Sequence, residues 1–344
     1  MVEWEEFMSD QKLEEIKKFV EDNEKAIVKI KSKKLEEIIF DCDYFEDKIK
    51  SEYKENLTEE ERNQLDLEAS IKYNDSIYEG SIFNGKRHGL GRMLYHSGRW
   101  YFGEWRNDRR QGNGIEYYLN GNKYVGEFFD GKANGKGKLF WSTGETYEGD
   151  WVEGQQEGKG MWFGFNNESY IGDWVNSKAN GWGKHVYSNG NSYEGEWKDF
   201  IPNGKGMAHY AETGGKYIGN FVDGKPNGYG KYIYSKNTFY QGNFVDGQKD
   251  GIGIIFLKEG HKYIGNFKND KKSGIGCFVW ASRNEYRGEF LNDLRHGKGM
   301  MKWNDGTVYE GQWAEGVQQG MGKISFPDKR GVKEGKFEKN VLIE

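Results

Sequence analysis

The sequence predicts a mainly β protein, an elongated single-layer antiparallel sheet of stacked hairpins carrying an α-helical N-terminal extension. Three observations predict it. Tyr-x-Gly recurs eleven times from Tyr78 to Tyr309, every 23 residues except for one interval of 24 between Tyr193 and Tyr217. Each Tyr is followed four positions on by Trp or Phe, with Ile82 the exception, and eleven positions on by Gly-x-Gly, from Gly89 and Gly91 to Gly320 and Gly322. All 50 glycines lie beyond residue 70. A fixed period of this length marks a stacked-repeat architecture, because each unit is one supersecondary element that cannot bury its face alone.

The elements follow in chain order. Residues 1–70 hold 12 Lys and Arg against 22 Asp and Glu, a net charge of −10, whereas the remainder, with 38 against 33, carries +5. Leu13, Ile16, Phe19, Val20, Ile27, Ile30, Leu35, Ile38, Ile39, Phe45 and Ile49 recur largely at spacings of three and four, which predicts helix over 9–50. Thr58-Glu59-Glu60-Glu61 fits a capping box and predicts a second helix through Leu65 and Leu67 to Ala69. This acidic amphipathic segment either lies against the first hairpins or docks on another protein.

From residue 71 to 338 the repeats take over. Tyr, Gly and Trp at positions 0, +2 and +4 share one face of a strand, since strand side chains alternate. Pairs such as Asn84-Gly85, Asp130-Gly131, Asp223-Gly224 and Asp246-Gly247 then favour the positive φ of a tight hairpin turn. The returning strand carries Gly-x-Gly. Glycines at +2, +11 and +13 leave hollows for the rings, so each ring is expected to touch its counterpart in the next hairpin. Eleven hairpins would extend about 105 Å at about 4.8 Å per strand. Residues 339–344 form a C-terminal tail.

The run Tyr147-Glu-Gly-Asp-Trp151-Val-Glu-Gly154-Gln-Gln-Glu-Gly158-Lys-Gly160 resembles a MORN (membrane occupation and recognition nexus) repeat. The resemblance covers about 78–338, ending in a fragment at Glu334-Gly335-Lys336-Phe337. Asp108, Ser177, Phe200, Asp270 and Asp293 stand where the pattern has its turn glycine at +7. What the resemblance implies is a non-enzymatic structural scaffold for protein–protein assembly. Arrays built almost wholly of such repeats are similar to those of radial spoke heads in the ciliary axoneme and of cytoskeletal scaffolds. The alternative it offers is a peripheral membrane or phosphoinositide-binding, or cortical tethering, module.

Composition narrows the classes further. Hydrophobic residues make up 35% of the chain and aromatics 16%, the mean hydropathy is −0.95, and there are 50 Gly but 3 Pro. That is too aromatic for a disordered chain and too polar for a large conventional core. Cys42 and Cys277 make neither a disulfide framework nor a metal spacing. With no 18-residue apolar stretch and an acidic start, the chain is expected to be soluble and cytoplasmic, and the resemblance implies a place within the cytoskeleton of a cilium or flagellum. No Gly-Lys pair is followed by Ser or Thr, so a P-loop is excluded, and the six histidines are scattered. No cofactor, metal, catalytic residue or nucleic acid is expected, and the partners are other proteins of a large assembly, such as radial spoke or axonemal subunits, with a homodimer open.

Two sets of site residues remain. The position after the tyrosine is apolar in alternate hairpins, at Val125, Ile171, Ile218 and Ile264, with Phe102 added near the N-terminal end. This row on the face opposite the rings is the candidate partner-binding surface, because a single-layer sheet has a face its own chain cannot fully cover. The lipid alternative rests on basic turns, Lys86, Arg87, Arg109, Arg110, Lys271, Lys272 and Arg295, which would support only weak adsorption to acidic lipid.

Overall fold

The computed structural model describes residues 66–328 and 330–343 together with Asp47, Ile49, Lys50, Ser51 and Tyr53. The helices expected over 9–46 and from Thr58 to residue 65 lie outside the described residues. Those described between Asp47 and Tyr53 are helical. Among the described residues there are 25 strands, all antiparallel, and the chain divides into two compact units.

The first unit is Met1–Ser188 with Trp197–Phe200. It contains β1 (Asp66–Lys72), β2 (Ser76–Phe83), β3 (Lys86–Tyr95), β4 (Trp100–Arg106), β5 (Arg109–Tyr117), β6 (Lys123–Phe129), β7 (Lys132–Phe140), β8 (Thr146–Val152), β9 (Gln155–Phe163), β10 (Ser169–Val175) and β11 (Lys178–Val186). Each pairs with the next in chain order. Residues 66–69, expected to be helical, are instead strand β1, with Ala69 opposite Gly80 and Ile71 opposite Tyr78. The reason is the exposed edge of β2. Among the described residues no repeat hairpin precedes it, and Leu67, Ala69 and Ile71 alternate with polar residues in the strand period.

The second unit is Asn189–Glu196 with Ile201–Glu344, so β12 (Ser192–Lys198) is divided between the two. It continues with β13 (Ile201–Tyr210), β14 (Gly215–Val222), β15 (Lys225–Ser235), β16 (Thr238–Val245), β17 (Gln248–Phe256), β18 (Lys262–Lys268), β19 (Lys271–Val279), β20 (Glu285–Leu291), β21 (Leu294–Lys302), β22 (Val308–Ala314), β23 (Val317–Ser325), β24 (Val332–Glu338) and β25 (Val341–Leu342). From β13 onward each again pairs with its successor. The tail therefore ends in pairing, with Leu342 opposite Phe337.

The same irregularity recurs in the repeat hairpins of each unit. Gly at +2 pairs with Gly at +13, the register shifts, and the aromatic at +4 then faces the residue at +9, as in Gly242↔Gly253 followed by Phe244↔Lys249. Three residues, +10 to +12, thus stand against the single residue at +3, and the middle one, Gly at +11, adopts φ from 56° to 103° across the array, a left-handed region that penalises any β-carbon. Two backbone groups beside the bulge find side-chain partners. The Tyr hydroxyl donates to the +3 carbonyl in all eleven repeats, at 2.7–3.1 Å. Where the +3 side chain is a carboxylate it in turn accepts from the +12 N–H, as Glu127 does from Lys136 at 2.9 Å and Asp173 from Trp182 at 2.8 Å. Glycine at +11 thus lies beside the +3 side chain rather than under a ring.

The rings pack differently from the like-to-like contact the repeat pattern suggests. From Tyr101 to Tyr170 and from Tyr217 to Tyr309 each repeat Tyr meets the +4 aromatic of its own hairpin and that of the next, edge to face, while Tyr78, with Ile82 at +4, meets that of the next. In the first unit this series runs from Tyr78 to Trp197, with centroids 5.0–5.5 Å apart and planes at 81–90°. In the second it runs from Tyr193 through Phe221 to Phe337, at 4.8–5.3 Å and 78–90°. Such geometry is worth about 0.5–1.5 kcal/mol per pair beyond burial. Where the +4 residue is Trp, its indole N–H also donates to the +13 carbonyl of the preceding hairpin, as Trp174 does to Gly160 at 3.2 Å.

Candidate interaction surfaces

The sheet offers two faces. On the ring face, the +9 residue decides how much aromatic surface is covered. Arg87 lies 4.5 Å over Trp105, Arg110 5.3 Å over Phe128, and Arg295 4.3 Å over Trp313. In the first unit Gln156 and Ala179 occupy this position instead. There a hollow of about 350 Å³ opens between Trp141, Trp162, Trp174 and Trp197, with His185 in its wall. His185 approaches Glu168 at 3.1 Å, yet its burial, outweighing that carboxylate, holds its pKa below the usual histidine value. The hollow can take an aliphatic or proline side chain.

The basic residues expected at the turns are largely committed within the sheet. The turn residue at +7 reaches back 21 positions: Asp108 accepts from the Arg87 N–H at 3.0 Å and pairs with its guanidinium at 3.1 Å, and Asp293 accepts from the Lys272 N–H at 2.9 Å and pairs with its ammonium at 3.0 Å. These contacts lower both carboxyl pKa values against the opposing effect of partial burial. Arg109 pairs with Asp130, Arg110 with Glu116, and Arg295 donates to the Gly316 carbonyl at 2.6 Å. Lys86 and Lys271 are exposed. The aspartates standing in for turn glycine thus do specific work, at φ of 67–70° for Asp108, Asp270 and Asp293.

On the opposite face the candidate row is uneven. Phe102, 7% exposed, forms a cluster with Ile49 and Ile115, with Val125 packed against it, so the chain's own helix covers that end. Lys50 stands 5.7 Å over the Phe102 ring. Ile171 is 7% and Ile218 2% exposed, flanked across the strands by Met161 and Lys184 and by Met207 and Lys231. Ile264, flanked by the shorter Ile254 and Cys277, is 43% exposed. Length of the cross-strand neighbour therefore sets accessibility along the row.

One surface on this face escaped the sequence reading. The +12 residue and the next repeat's +3 residue stand opposite each other, and in the first unit two of these places are ion pairs, Lys136 with Asp150 and Lys159 with Asp173. In the second unit this row reads Tyr229–Asn243, Ile252–Asn266 and Ile275–Glu289. Tyr229 is 50%, Ile252 68% and Ile275 63% exposed. The available signal was the coincident change from acid to Asn at 220, 243 and 266 and to apolar at 229, 252 and 275.

Repeating hairpins, a bulge with its hydroxyl and carboxylate partners, and a ring face and an opposite face within each unit define a repeat scaffold of the protein-interaction class. The MORN repeat family matches residues 78–98, 101–123, 124–146, 147–166, 170–192, 193–212, 217–239, 240–261, 263–285, 286–308 and 309–329, and the chain belongs to it. No curated protein matches the sequence. Among solved structures, it is similar to the Drosophila melanogaster SAS-4 (dCPAP) TCP domain in complex with a proline-rich motif of Ana2 (14% identity, TM-score 0.24, covering 53% of this chain and 85% of that one). The CPAP G-box domain, whose structure is described as suggesting a role in centriole elongation, shows 9% identity, a TM-score of 0.22 and coverage of 72% and 99%. A streptogramin B lyase shows 10%, 0.14, 79% and 83%. Likenesses at these scores carry no inference about this chain.

Proposed function

We propose that the chain is a non-enzymatic scaffold of the ciliary axoneme, similar in role to a radial spoke head protein, holding proteins of a large assembly at fixed spacings. The observation that carries the scaffold reading is the interlocked ring series within each unit: a repeat tyrosine such as Tyr240 is held by two aromatics and a hydroxyl bond, so surface side chains are displayed on a stiff repeating frame. The axonemal part rests on the resemblance of arrays made almost wholly of MORN repeats, which is analogy at the level of fold.

The membrane alternative has less support, because five of the seven basic residues proposed for it, Arg87, Arg109, Arg110, Lys272 and Arg295, already hold internal partners. Expression of the tagged chain in ciliated cells, followed by detergent extraction of isolated cilia, separates the readings. Retention with the axoneme after detergent, and release only by high salt, is expected. Release by detergent alone, together with salt-sensitive flotation on liposomes containing acidic lipid, would overturn the axonemal reading.

A further inference from the structure

The apolar row of the second unit has features of a docking site for one kind of partner. Tyr229, Ile252 and Ile275 come from the strands β15, β17 and β19, so they recur every second strand, about 9.6 Å apart. Two turns of an α-helix advance about 10.5 Å, so a helix crossing the strands meets this row with every seventh residue. Ile264 lies on the same face and widens the apolar strip. Charge around it is mixed: Lys216, Lys231 and Lys262 stand on this face, Lys231 and Lys262 directed to rings, Glu289 stands opposite Ile275, Glu285 is paired with Arg287, and Asp250 with Lys268 at 2.9 Å.

The chain itself contains a segment of matching chemistry. Leu13, Val20 and Ile27 are spaced by seven, Ile16 and Ile30 follow the first and last of them at three, and Glu14, Glu15, Glu21, Asp22 and Glu24 are interleaved with Lys17, Lys18, Lys25 and Lys29 around them. Residues 1–46 hold 8 Lys against 14 acidic residues, a net of −6. Helix on this face is already realised in the first unit, where Ile49 seats against Phe102 and Ile115. We propose that the N-terminal segment around Leu13–Ile30 of a second copy docks as a helix on the Tyr229–Ile252–Ile275 row, and that two such reciprocal contacts close a twofold dimer. Reciprocity makes the contact self-complementary, so assembly stops at two, and each dock raises the effective concentration for the other.

The inference extends the scaffold reading and is tested apart from it. Sedimentation of the full chain should give a dimer, and Ile252→Glu with Ile275→Glu should raise its dissociation constant by about 100-fold or more. Both residues point to solvent, so the circular dichroism of the double variant should match that of the parent. With Cys42 and Cys277 replaced by Ser, a copy bearing Val20→Cys and a differently tagged copy bearing Ile252→Cys should form a mixed disulfide on mild oxidation. A monomeric parent, an undiminished dimer in the double variant, or a disulfide that forms only when both cysteines share one chain would overturn the proposal. A monomer still retained with detergent-extracted axonemes would leave the scaffold standing, whereas a dimer released by detergent would do the reverse.

Discussion

The bond from each tyrosine hydroxyl to the +3 carbonyl is open to a single-atom test at Tyr240. Its side chain is fully buried, its hydroxyl donates to the Asn243 carbonyl at 2.9 Å, and its ring meets Phe244 and Phe267 at 5.1 and 5.0 Å. Tyr240→Phe leaves both ring contacts in place and removes only the donor. An acceptor beside the bulge then loses its partner, which costs about 1–3 kcal/mol, whereas a hydrogen bond exchanged freely with water is worth far less. Tyr229 is the control: its hydroxyl accepts from the Gln241 side-chain amide at 2.8 Å but it is 50% exposed, so Tyr229→Phe should stay within about 0.5 kcal/mol. Urea unfolding followed by tryptophan fluorescence, with native-state hydrogen exchange to locate the loss, gives both values. Equal midpoints for the two variants would refute the idea that the bulge depends on the hydroxyl.

Further outcomes follow from the same geometry. In Gly253→Ala the new β-carbon would overlap the Tyr240 ring, which its two aromatic neighbours prevent from yielding, so about 3 kcal/mol or more should be lost. In Gly131→Ala, at a turn with φ of 84° and open space, denaturation should register only the backbone penalty of about 1–2 kcal/mol. Glu116, 2% exposed between Arg99 and Arg110, should cost about 3 kcal/mol on replacement by Ala, the low end for a buried ion pair because Arg99 is over a third exposed. Burial raises the pKa of the repeat tyrosines, including Tyr101, Tyr124, Tyr170 and Tyr240, above the ordinary value of 10.0. The folded state thus holds these protons more tightly, so the associated stability is complete below pH 10 and should fall steeply above it as the unfolded chain ionises. Alkaline titration by circular dichroism showing gradual tyrosine ionisation in an intact sheet would contradict this.

Much of this architecture was legible because the repeat period and the two-residue strand period act on the same residues. Tyr, Gly and Trp at 0, +2 and +4 could only share a face, and the turn pairs fixed where each hairpin reverses. What stayed hidden depends on register. Gly112 and Gly114 look alike in sequence, yet one sits beside Glu104 at the bulge and the other under Tyr101. Arg87 looks free until the fold brings Asp108, 21 residues later, alongside it. Strand β1 was masked by the acidic, helix-favouring composition around it, a local preference overridden by the edge it covers. On the outer face, the alternation at +1 was visible, but exposure there depends on the residues across the ladder, and the Tyr229–Ile252–Ile275 strip became apparent only through pairing.

The zigzag of rings also has a direction. Within each unit a tyrosine borrows the second wall of its socket from the hairpin that follows, so severing the chain between repeats strips a wall from the last tyrosine before the cut. At the C-terminal end Phe337 supplies that wall to Tyr309, at 4.9 Å, while adding no tyrosine of its own. The short stretch from Val332 to Leu342 is therefore a portable terminator: grafted behind an earlier repeat of the second unit, it should seal a shortened array of any chosen number of hairpins.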